Sequence, residues 1–348
     1  MSKLFTSLFA GGGGSDLGAI AAGFEPCESV EYDPQIAEVH RANIGGKMHV
    51  INILDANPLK FEKVDLLHAS PVCKQFSMAN ANKGEAQLDI DCAKKVAEFI
   101  QVLQPPSFTL ENVEAYRKSK SFHIIVEMLY SQGYWVQYQV LNSADFGVPQ
   151  SRRRLILMAV KGGFIPPLPP KQKHIGWYEA IADLVHDLPD SKLADWQLKA
   201  LPNEIREHLF VGYLGEKRLN DRSNRKIYLY PDSPSFTLIA GECAEHGIRQ
   251  HKAILIENTG ARSDRPLQTR AADDPCWTLR AMGQDGHYHR ANALLENTKI
   301  KALDIACLAR LQSFPDDYKW SGKKSLDGKI IGNSVTPLMY QAIARLFT

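Results

Sequence analysis

The sequence predicts an α/β protein with a doubly wound, mostly parallel sheet and a smaller, irregular β-rich domain. In the first 160 residues, short apolar runs alternate with segments of helical periodicity, a pattern typical of a parallel sheet with crossover helices. The pattern breaks at KGGFIPPLPPKQK (161–173), where prolines and lysines mark a domain edge. After this linker, up to about residue 298, residues typical of turns are frequent. We therefore expect a first domain over 1–165, a β-rich domain over 166–298, and a return to the first domain over 299–348.

Local signals in the first domain support each of its elements. Pro34 suits the first turn of a helix, and Gly23 and Gly133 suit the residue that closes one. The predicted strands are LFTSLFA (4–10), CESVEYD (27–33), VDLLHAS (64–70), SFTLENV (107–113), YWVQYQVLN (134–142) and RRLILMAV (153–160). The predicted helices between them are DLGAIAAGF (16–24), PQIAEVHRAN (34–43), DCAKKVAEFIQVLQ (91–104) and FHIIVEMLYSQG (122–133).

The C-terminal segment has two stretches of helical spacing, ALDIACLARLQSF (302–314) and TPLMYQAIARLF (336–347). We expect both to form amphipathic helices that pack on the first domain. GNSV (332–335) should begin the last helix, with Asn333 or Ser334 as its cap.

Composition indicates a globular protein. The 348 residues are 44% hydrophobic and 23% charged, with a formal charge of +2, so any nucleic-acid binding must come from local patches. There is no run of 18 or more apolar residues, so we expect no membrane span. A reducing cytoplasm suits a lone reactive thiol, so we expect a cytoplasmic protein. The six cysteines are scattered without a CxxC pair. This spacing argues against a metal site and against a disulfide framework.

A glycine-rich stretch, FAGGGGSDLG (9–18), follows the first predicted strand and opens a helix. Glycines let a ligand approach the backbone closely, and a helix N-terminus favours an anionic group. The GxGxxG spacing of dinucleotide sites is absent. Glu31 lies 20 residues after Gly11, at the end of the second strand, where an acid can accept hydrogen bonds from ribose hydroxyls. Together these features predict a cofactor of nucleoside type that carries a smaller anion.

Three further stretches could carry chemistry, although each has an ordinary alternative. Cys73, in HASPVCKQFSMAN (68–80), lies on the loop after a buried strand and is either a nucleophile or a structural cysteine. Glu111, in LENV (110–113), could donate a proton or cap a helix. In QSRRRL (150–155), alternation puts Arg152 and Arg154 on one face, where they could grip a phosphate or base edge, or lie in a solvated turn.

Taken in order, these stretches resemble the cytosine-5 DNA methyltransferase family. The matching motifs are FAGGGGSDLGAIAAGF, VEYD, PVCKQFS, LENV, GVPQSRRR, LARLQSFPDDY and GNSV, which cover residues 4–158 and about 300–347. The resemblance implies a class I methyltransferase with a Rossmann-like fold that uses S-adenosylmethionine. It implies methylation of carbon 5 of a cytosine flipped out of a specific double-stranded DNA sequence, through a covalent bond between Cys73 and carbon 6.

The resemblance also assigns roles to individual residues. It makes Cys73 the catalytic thiolate and Glu111 the group that protonates ring nitrogen 3, with Arg152 and Arg154 organising the flipped base and the catalytic loop. The cofactor-binding residues would be Phe9, Gly11, Gly13, Gly14, Glu31, Asn52, Ile53, Asn333 and Ser334. Residues 166–298 would form the target-recognition domain. The DNA contacts would be Gln75, Ser77, Thr278, Arg280 and Arg290.

The resemblance further implies a monomer in the cytoplasm of a bacterial or phage-infected cell, associated with the nucleoid, with a cognate restriction endonuclease as a further partner. The sequence departs from the family at four points. Val72 replaces a proline, Lys74-Gln75 replaces a glutamine directly after the cysteine, Asn52 replaces an aspartate and Ala306-Cys307 replaces an Arg-Glu pair. Two alternatives stay open: an RNA cytosine-5 methyltransferase, and a weakly active or non-catalytic DNA-binding member. The Cys-Phe-Thr triplet of the transfer-RNA branch is absent.

Overall fold

A computed structural model describes the elements of this chain. The described residues are 2–71, 85–190, 219–220, 226–227, 254–256, 269–271, 273–277, 293–296 and 299–348. They fall into two compact units. The first comprises Met1–Ile175, Trp277–Ala281 and Leu308–Thr348, and the second comprises Gly176–Cys276 and Met282–Cys307.

A seven-stranded sheet forms the centre of the first unit. Its strands run in the order β3-β2-β1-β4-β5-β8-β6, and β8 alone is antiparallel to its neighbours. The strands of this unit are β1 Lys3–Leu8, β2 Phe24–Glu31, β3 Lys47–Val50, β4 Leu66–Ala69, β5 Ser107–Asn112, β6 Tyr134–Asn142, the two-residue β7 Gln150–Ser151, and β8 Arg153–Lys161. The predicted doubly wound, mostly parallel sheet is therefore confirmed. Strand β3 was not predicted, because it is short and lies at the edge without an apolar alternation.

Helices cover both faces of this sheet. The helices are α1 Gly14–Ala22, α2 Pro34–Asn43, α3 Gln87–Leu103, α4 Lys120–Ser131, α6 Ile305–Leu311, α7 Lys324–Asn333 and α8 Pro337–Ala344, with α5 Trp177–Ile181 in the second unit. On one face, Leu8 of β1 and Phe108 of β5 pack with Phe99 of α3. On the other, Phe5 of β1 packs with Met339 of α8. The two faces thus bury alternate residues of the same strands.

The expected start of the last helix is wrong. Asn333 ends α7, which the sequence did not predict, and Ser334 donates from its hydroxyl to Ile330 O at 2.7 Å. The last helix begins instead at Pro337, and Thr336 makes no side-chain cap. Proline fixes a backbone angle suited to the first helical position and disfavours helix in the residue before it. These effects outweigh the capping preference of asparagine and serine.

Helix α1 packs so closely against α8 that only glycine fits at the contact. A Cβ atom added at Gly18 would lie 2.6 Å from Pro337 O and 2.8 Å from Gln341 N. At Gly14, it would lie 2.3 Å from Val335 O. Because these neighbours are backbone atoms, they cannot move aside as a flexible side chain would. The glycines therefore hold the C-terminal segment against the start of the first domain.

The second unit is rich in strands, as the sequence predicts for its β-rich domain. Four short strands form an antiparallel sheet in the order β12-β11-β14-β15. The strands of this unit are β9 Leu219–Asn220, β10 Lys226–Ile227, β11 Ile254–Ile256, β12 Thr269–Ala271, β13 Cys276–Trp277, β14 Ala293–Glu296 and β15 Lys299–Ala302, of which β13 extends one residue beyond it. Trp177 of α5 is fully buried, and its N–H donates to Asp274 O at 2.8 Å. Within the described ranges, no helix is long and apolar enough to cross a bilayer.

The contact between α1 and α8 predicts the effect of one methyl group. Gly18→Ala should lower the free energy of unfolding by about 1–3 kcal/mol, because overpacking outweighs the better helix propensity of alanine. Gly163→Ala is the matched control, since a Cβ atom there meets nothing within 4 Å. It should change stability by less than about 0.5 kcal/mol. Urea unfolding of both variants checks this, and equal stabilities would contradict the packing described here.

Candidate active site

The glycine loop between β1 and α1 faces the end of β2. Gly11 N donates to Glu31 Oε2 at 2.9 Å, and Asp33 N donates to Glu31 Oε1 at 2.8 Å. Gly11 has a φ of +55° and Gly13 a φ of +83°, values that favour glycine. Glu31 is thus fixed at the carboxyl end of a strand, where open α/β sheets bind their ligands.

The glycines of this loop have different surroundings. A Cβ atom at Gly12 would lie 2.3 Å from Ile330 Cγ2, and one at Gly13 would lie 2.6 Å from Ile44 Cγ1. At Gly11 it would meet nothing within 4 Å. Gly11 therefore borders open space beside Glu31. Gly12, Gly13 and Gly14 fit the loop against α2 and the C-terminal segment.

The remaining predicted cofactor residues lie around this loop or behind it. Phe9 has a φ of +62° and packs against the hydrophobic core between the sheet and α3, which contains Leu8 and Phe99. Asn52 Oδ1 accepts from Leu54 N at 3.1 Å and so caps a short 3₁₀ turn. The side chain of Ile53 is buried in the same core cluster. Asn333 is exposed.

Tyr32 was missed by sequence reasoning. It directly follows Glu31 and is 73% exposed. An aromatic ring in this place could stack on a nucleobase. The sequence signal that could have indicated Tyr32 is an aromatic residue directly after an acid at a strand end.

Glu111 lies at the end of β5 with a polar neighbour on each side. Ser70, just after the neighbouring strand β4, donates from its hydroxyl to Glu111 Oε2 at 2.8 Å. Arg154 Nε lies 3.0 Å from Glu111 Oε1. Glu111 is only 5% exposed, whereas Arg153 turns to the surface and pairs with Glu114 at 3.2 Å. The carboxylate is therefore held in one orientation by two side chains from separate strand ends.

Arg152 is placed differently from Arg154. It is 2% exposed, and its Nη2 donates to Gly332 O at 3.0 Å. Two buried glutamines make further hydrogen bonds between the same parts of the chain. Gln150 Nε2 donates to Gln312 Oε1 at 2.6 Å, and Gln312 Nε2 donates to Ser334 O at 2.9 Å. Arg152 thus joins the arginine strand, residues 150–155 from β7 to the start of β8, to the C-terminal segment, residues 302–347. Sequence reasoning missed both glutamines, although both lie in quoted motifs.

The segment that carries Cys73 starts beside Glu111. Asn112 Nδ2 donates to Pro71 O at 3.0 Å, so the chain is fixed two residues before Cys73. Cys73 itself lies outside the described residues. The same holds for the predicted DNA contacts Gln75, Ser77, Thr278, Arg280 and Arg290.

Comparison with known proteins shows the family to which this chain belongs. The family model of C-5 cytosine-specific DNA methylases matches residues 4–347. The chain belongs to this family. Among its relatives is the Type II methyltransferase M1.HphI of Haemophilus parahaemolyticus, 31% identical over 360 residues that cover 99% of this chain and 86% of the relative. Another is M.HaeII of Haemophilus aegyptius, 32% identical over 342 residues that cover 97% and 90%.

The fold of this methyltransferase also matches solved structures. The S. pombe Dnmt2 methyltransferase superposes with a TM-score of 0.59 at 15% identity, covering 99% of this chain and 98% of that one. The predicted family, fold class and enzyme class are confirmed: the chain is a DNA cytosine-5-methyltransferase. The individual site residues and the domain roles stay predictions.

Beneath the glycine loop, this methyltransferase has a buried polar cluster around Asp16. Asp16 Oδ1 accepts from the hydroxyl of Ser7 at 2.7 Å and lies 3.3 Å from both Ser29 Oγ and His40 Nε2. Asp16 Oδ2 accepts from Ser15 at 3.1 Å. Burial alone would raise the pKa of Asp16, but the hydrogen bonds and charge of His40 and the bond from Ser7 hold it below its ordinary value of 3.8. The cluster ties β1, β2 and α2 to the start of α1.

The lowered pKa of Asp16 predicts a pH-dependent loss in Asp16→Asn. Replacing the buried carboxylate should lower the free energy of unfolding by about 2–4 kcal/mol at neutral pH. Because the folded-state pKa is depressed, the ionised group stabilises the protein above about pH 4, and this contribution is lost as pH falls through the folded pKa. The difference from wild type should therefore shrink as the pH falls below about 4.

Urea unfolding over this pH range measures the difference directly. Asp91→Asn is the control, since Asp91 is exposed on α3 and pairs with Lys94 at 3.7 Å. That variant should lose less than about 1 kcal/mol. A difference between wild type and Asp16→Asn that widens as the pH falls below about 4 would contradict the stated role of Asp16.

Proposed function

We propose that the enzyme methylates carbon 5 of a cytosine flipped out of a specific double-stranded DNA sequence, with S-adenosylmethionine as the methyl donor and Cys73 as the nucleophile. The observation that carries the proposal is the setting of Glu111. Ser70 and Arg154 hold its carboxylate at the sheet edge, and Pro71, next in the chain to Ser70, leads directly to Cys73. An acid and a nucleophile from neighbouring strand ends fit chemistry on one heterocyclic ring.

The residue types explain how the ring would be activated. Carbon 5 of cytosine is too weak a nucleophile to take a methyl group unaided. The Cys73 thiolate would form a bond to carbon 6, the electron pair of the 5,6 double bond would move into the ring, and Glu111 would supply the proton that nitrogen 3 takes up. Carbon 5 of the resulting enamine can then be methylated. Loss of the proton from carbon 5 to a base, departure of the thiolate and return of the nitrogen 3 proton to Glu111 restore the neutral aromatic ring.

Base flipping follows from access to the reacting atoms. The ring atoms of a stacked cytosine cannot reach Glu111 at the end of β5, so the base must leave the duplex. Arg154 would keep the Glu111 carboxylate aimed at the base. Arg152, bound to Gly332 O, would act as a positioning residue by keeping the arginine strand in place.

The loop between β1 and α1 suits S-adenosylmethionine. Gly11 borders open space, and each Glu31 oxygen accepts one backbone N–H and keeps a lone pair for a ribose hydroxyl. Phe9, Gly13, Gly14, Asn52, Ile53, Asn333 and Ser334 complete the proposed site. When bound, S-adenosylmethionine supplies a methyl group on a sulfonium. The protein's own part is to orient the cofactor and exclude water.

Sequence choice is assigned to residues 166–298, the proposed target-recognition domain. Thr278, Arg280 and Arg290 are the proposed contacts there, with Gln75 and Ser77 on the segment that carries Cys73. The relatives are named Type II methyltransferases, which supports a role in restriction–modification with a cognate endonuclease as partner. Retention of Glu111 together with Arg154 and Cys73 argues against a non-catalytic scaffold.

A mechanism-based trap tests the nucleophile. DNA that carries 5-fluorocytosine should form a covalent adduct at Cys73, because fluorine cannot leave as a proton does and elimination stalls after methylation. Cys73→Ala should abolish both adduct and turnover while it keeps cofactor binding, and Glu111→Gln should slow the chemical step by about 10²–10⁴. Peptide mapping of the adduct is the measurement. An adduct on another cysteine, or one that persists in Cys73→Ala, would mean that the nucleophile is misassigned.

The capping contact of Asn52 predicts a gain in cofactor affinity for Asn52→Asp. With Oδ1 engaged on Leu54 N, the second terminal atom of Asn52 is an amide donor, whereas aspartate has a second, charged acceptor for an adenine amino group. Binding of S-adenosylmethionine should tighten by about 3- to 10-fold in calorimetry. Asn57→Asp is the matched control, because Asn57 caps the next 3₁₀ turn in the same way and should leave affinity unchanged. Equal or weaker binding in Asn52→Asp would refute the assignment of Asn52 to adenine.

A further inference from the structure

Glu85 makes a contact that no motif assigns. It is the first described residue after the segment 72–84, and its two carboxylate oxygens accept from the backbone of α4. Lys120 N donates to Oε2 at 2.8 Å and Ser121 N donates to Oε1 at 3.0 Å. These are the first two N–H groups of the helix, which have no partner within it. A carboxylate at this end is also favoured by the helix dipole.

The other end of the same segment is fixed to the same stretch of chain. Asn112, at the end of β5, donates to Pro71 O, and α4 follows β5 after a short 3₁₀ turn. Asn112 is buried. The residues on both sides of 72–84 are therefore fastened to the stretch that carries Glu111. The Glu85 contact spans 35 positions in sequence and the Asn112 contact spans 41.

Helix α4 has its own cap as well. Ser119 Oγ accepts from Phe122 N at 3.0 Å, and Ser119 O accepts from His123 N at 3.4 Å. Ser119 and Glu85 thus share the N-terminal N–H groups of one helix. Of these two caps, Glu85 is the one that adjoins the segment containing Cys73.

We propose that Glu85 is a positioning residue for methyl transfer, which holds the C-terminal end of the Cys73 segment to α4 and so fixes it relative to Glu111. The proposal rests on the proposed function in that Cys73 is taken as the nucleophile. Rates of reactions between fixed groups are sensitive to placement, and an error of about 1 Å can cost on the order of 100-fold. Loss of the Glu85 contact should therefore appear in the chemical step before it appears in folding.

Comparison of Glu85→Ala with Ser119→Ala separates the two roles. Both variants remove a cap from the start of α4, which is worth about 0.5–2 kcal/mol, so both should lower the melting temperature by similar amounts. Glu85→Ala should slow single-turnover methyl transfer to unmethylated plasmid DNA by about 10- to 100-fold. Ser119→Ala should stay within about twofold of wild type. Glu85→Gln keeps one acceptor oxygen and should give an intermediate rate.

The assays use the full chain with tritiated S-adenosylmethionine at saturation, and calorimetry should give the same cofactor affinity for all variants. Equal slowing in Glu85→Ala and Ser119→Ala, or a rate in Glu85→Ala that falls only with the folded fraction, would overturn the proposal and reduce Glu85 to a helix cap. A wild-type rate in Glu85→Ala would also overturn the proposal. The proposed function would still stand if 5-fluorocytosine DNA forms its adduct with Cys73 of the wild-type enzyme. Absence of a Cys73 adduct in the wild-type enzyme would instead reject the proposed function, and the Glu85 proposal with it.

Discussion

The close approach between the glycine loop and the C-terminal segment is the constraint on which the rest of the first unit depends. Gly14 and Gly18 meet backbone atoms of residues 335–341 at distances that leave no room for a Cβ atom, and Gly12 meets the side chain of Ile330. Additional polar contacts reinforce this packing, because Tyr318 donates to Gly12 O and Lys329 pairs with Asp33 at 2.9 Å. The end of the chain therefore forms one wall of the loop that faces Glu31.

The same C-terminal segment reaches the other half of the site. Gln312 bonds to Gln150 and to Ser334 O, and Arg152 bonds to Gly332 O, so the stretch 150–155 is fixed to the segment that packs on the glycine loop. Arg154, two residues after Arg152, in turn holds Glu111. A continuous path of buried contacts thus connects the proposed methyl-donor site with the proposed proton donor.

The sequence was most informative where a local rule decides the structure. Helix α2 was predicted with its observed bounds because Pro34 begins it, and the structure adds Asp33 as its cap. Glu111 was placed at a strand end from apolar patterning alone. Strand β3 and helix α7 were missed because neither has a clear apolar period. The contacts of Gln312 and Glu85 were out of reach for another reason. They join residues far apart in sequence, and nothing next to either residue indicates its partner.

The structure also shows why departures from the family pattern leave the architecture intact. Asn52 replaces an aspartate, yet its amide oxygen still caps the turn at Leu54. Cys307, in the replaced Arg-Glu pair, is buried, and its N–H donates to Asp304 Oδ1 at 2.9 Å, so α6 keeps a capped start. In both places a local hydrogen bond preserves the backbone while the charge is lost. Any consequence of these departures should therefore fall on ligand binding and chemistry, where charge matters, and only weakly on folding.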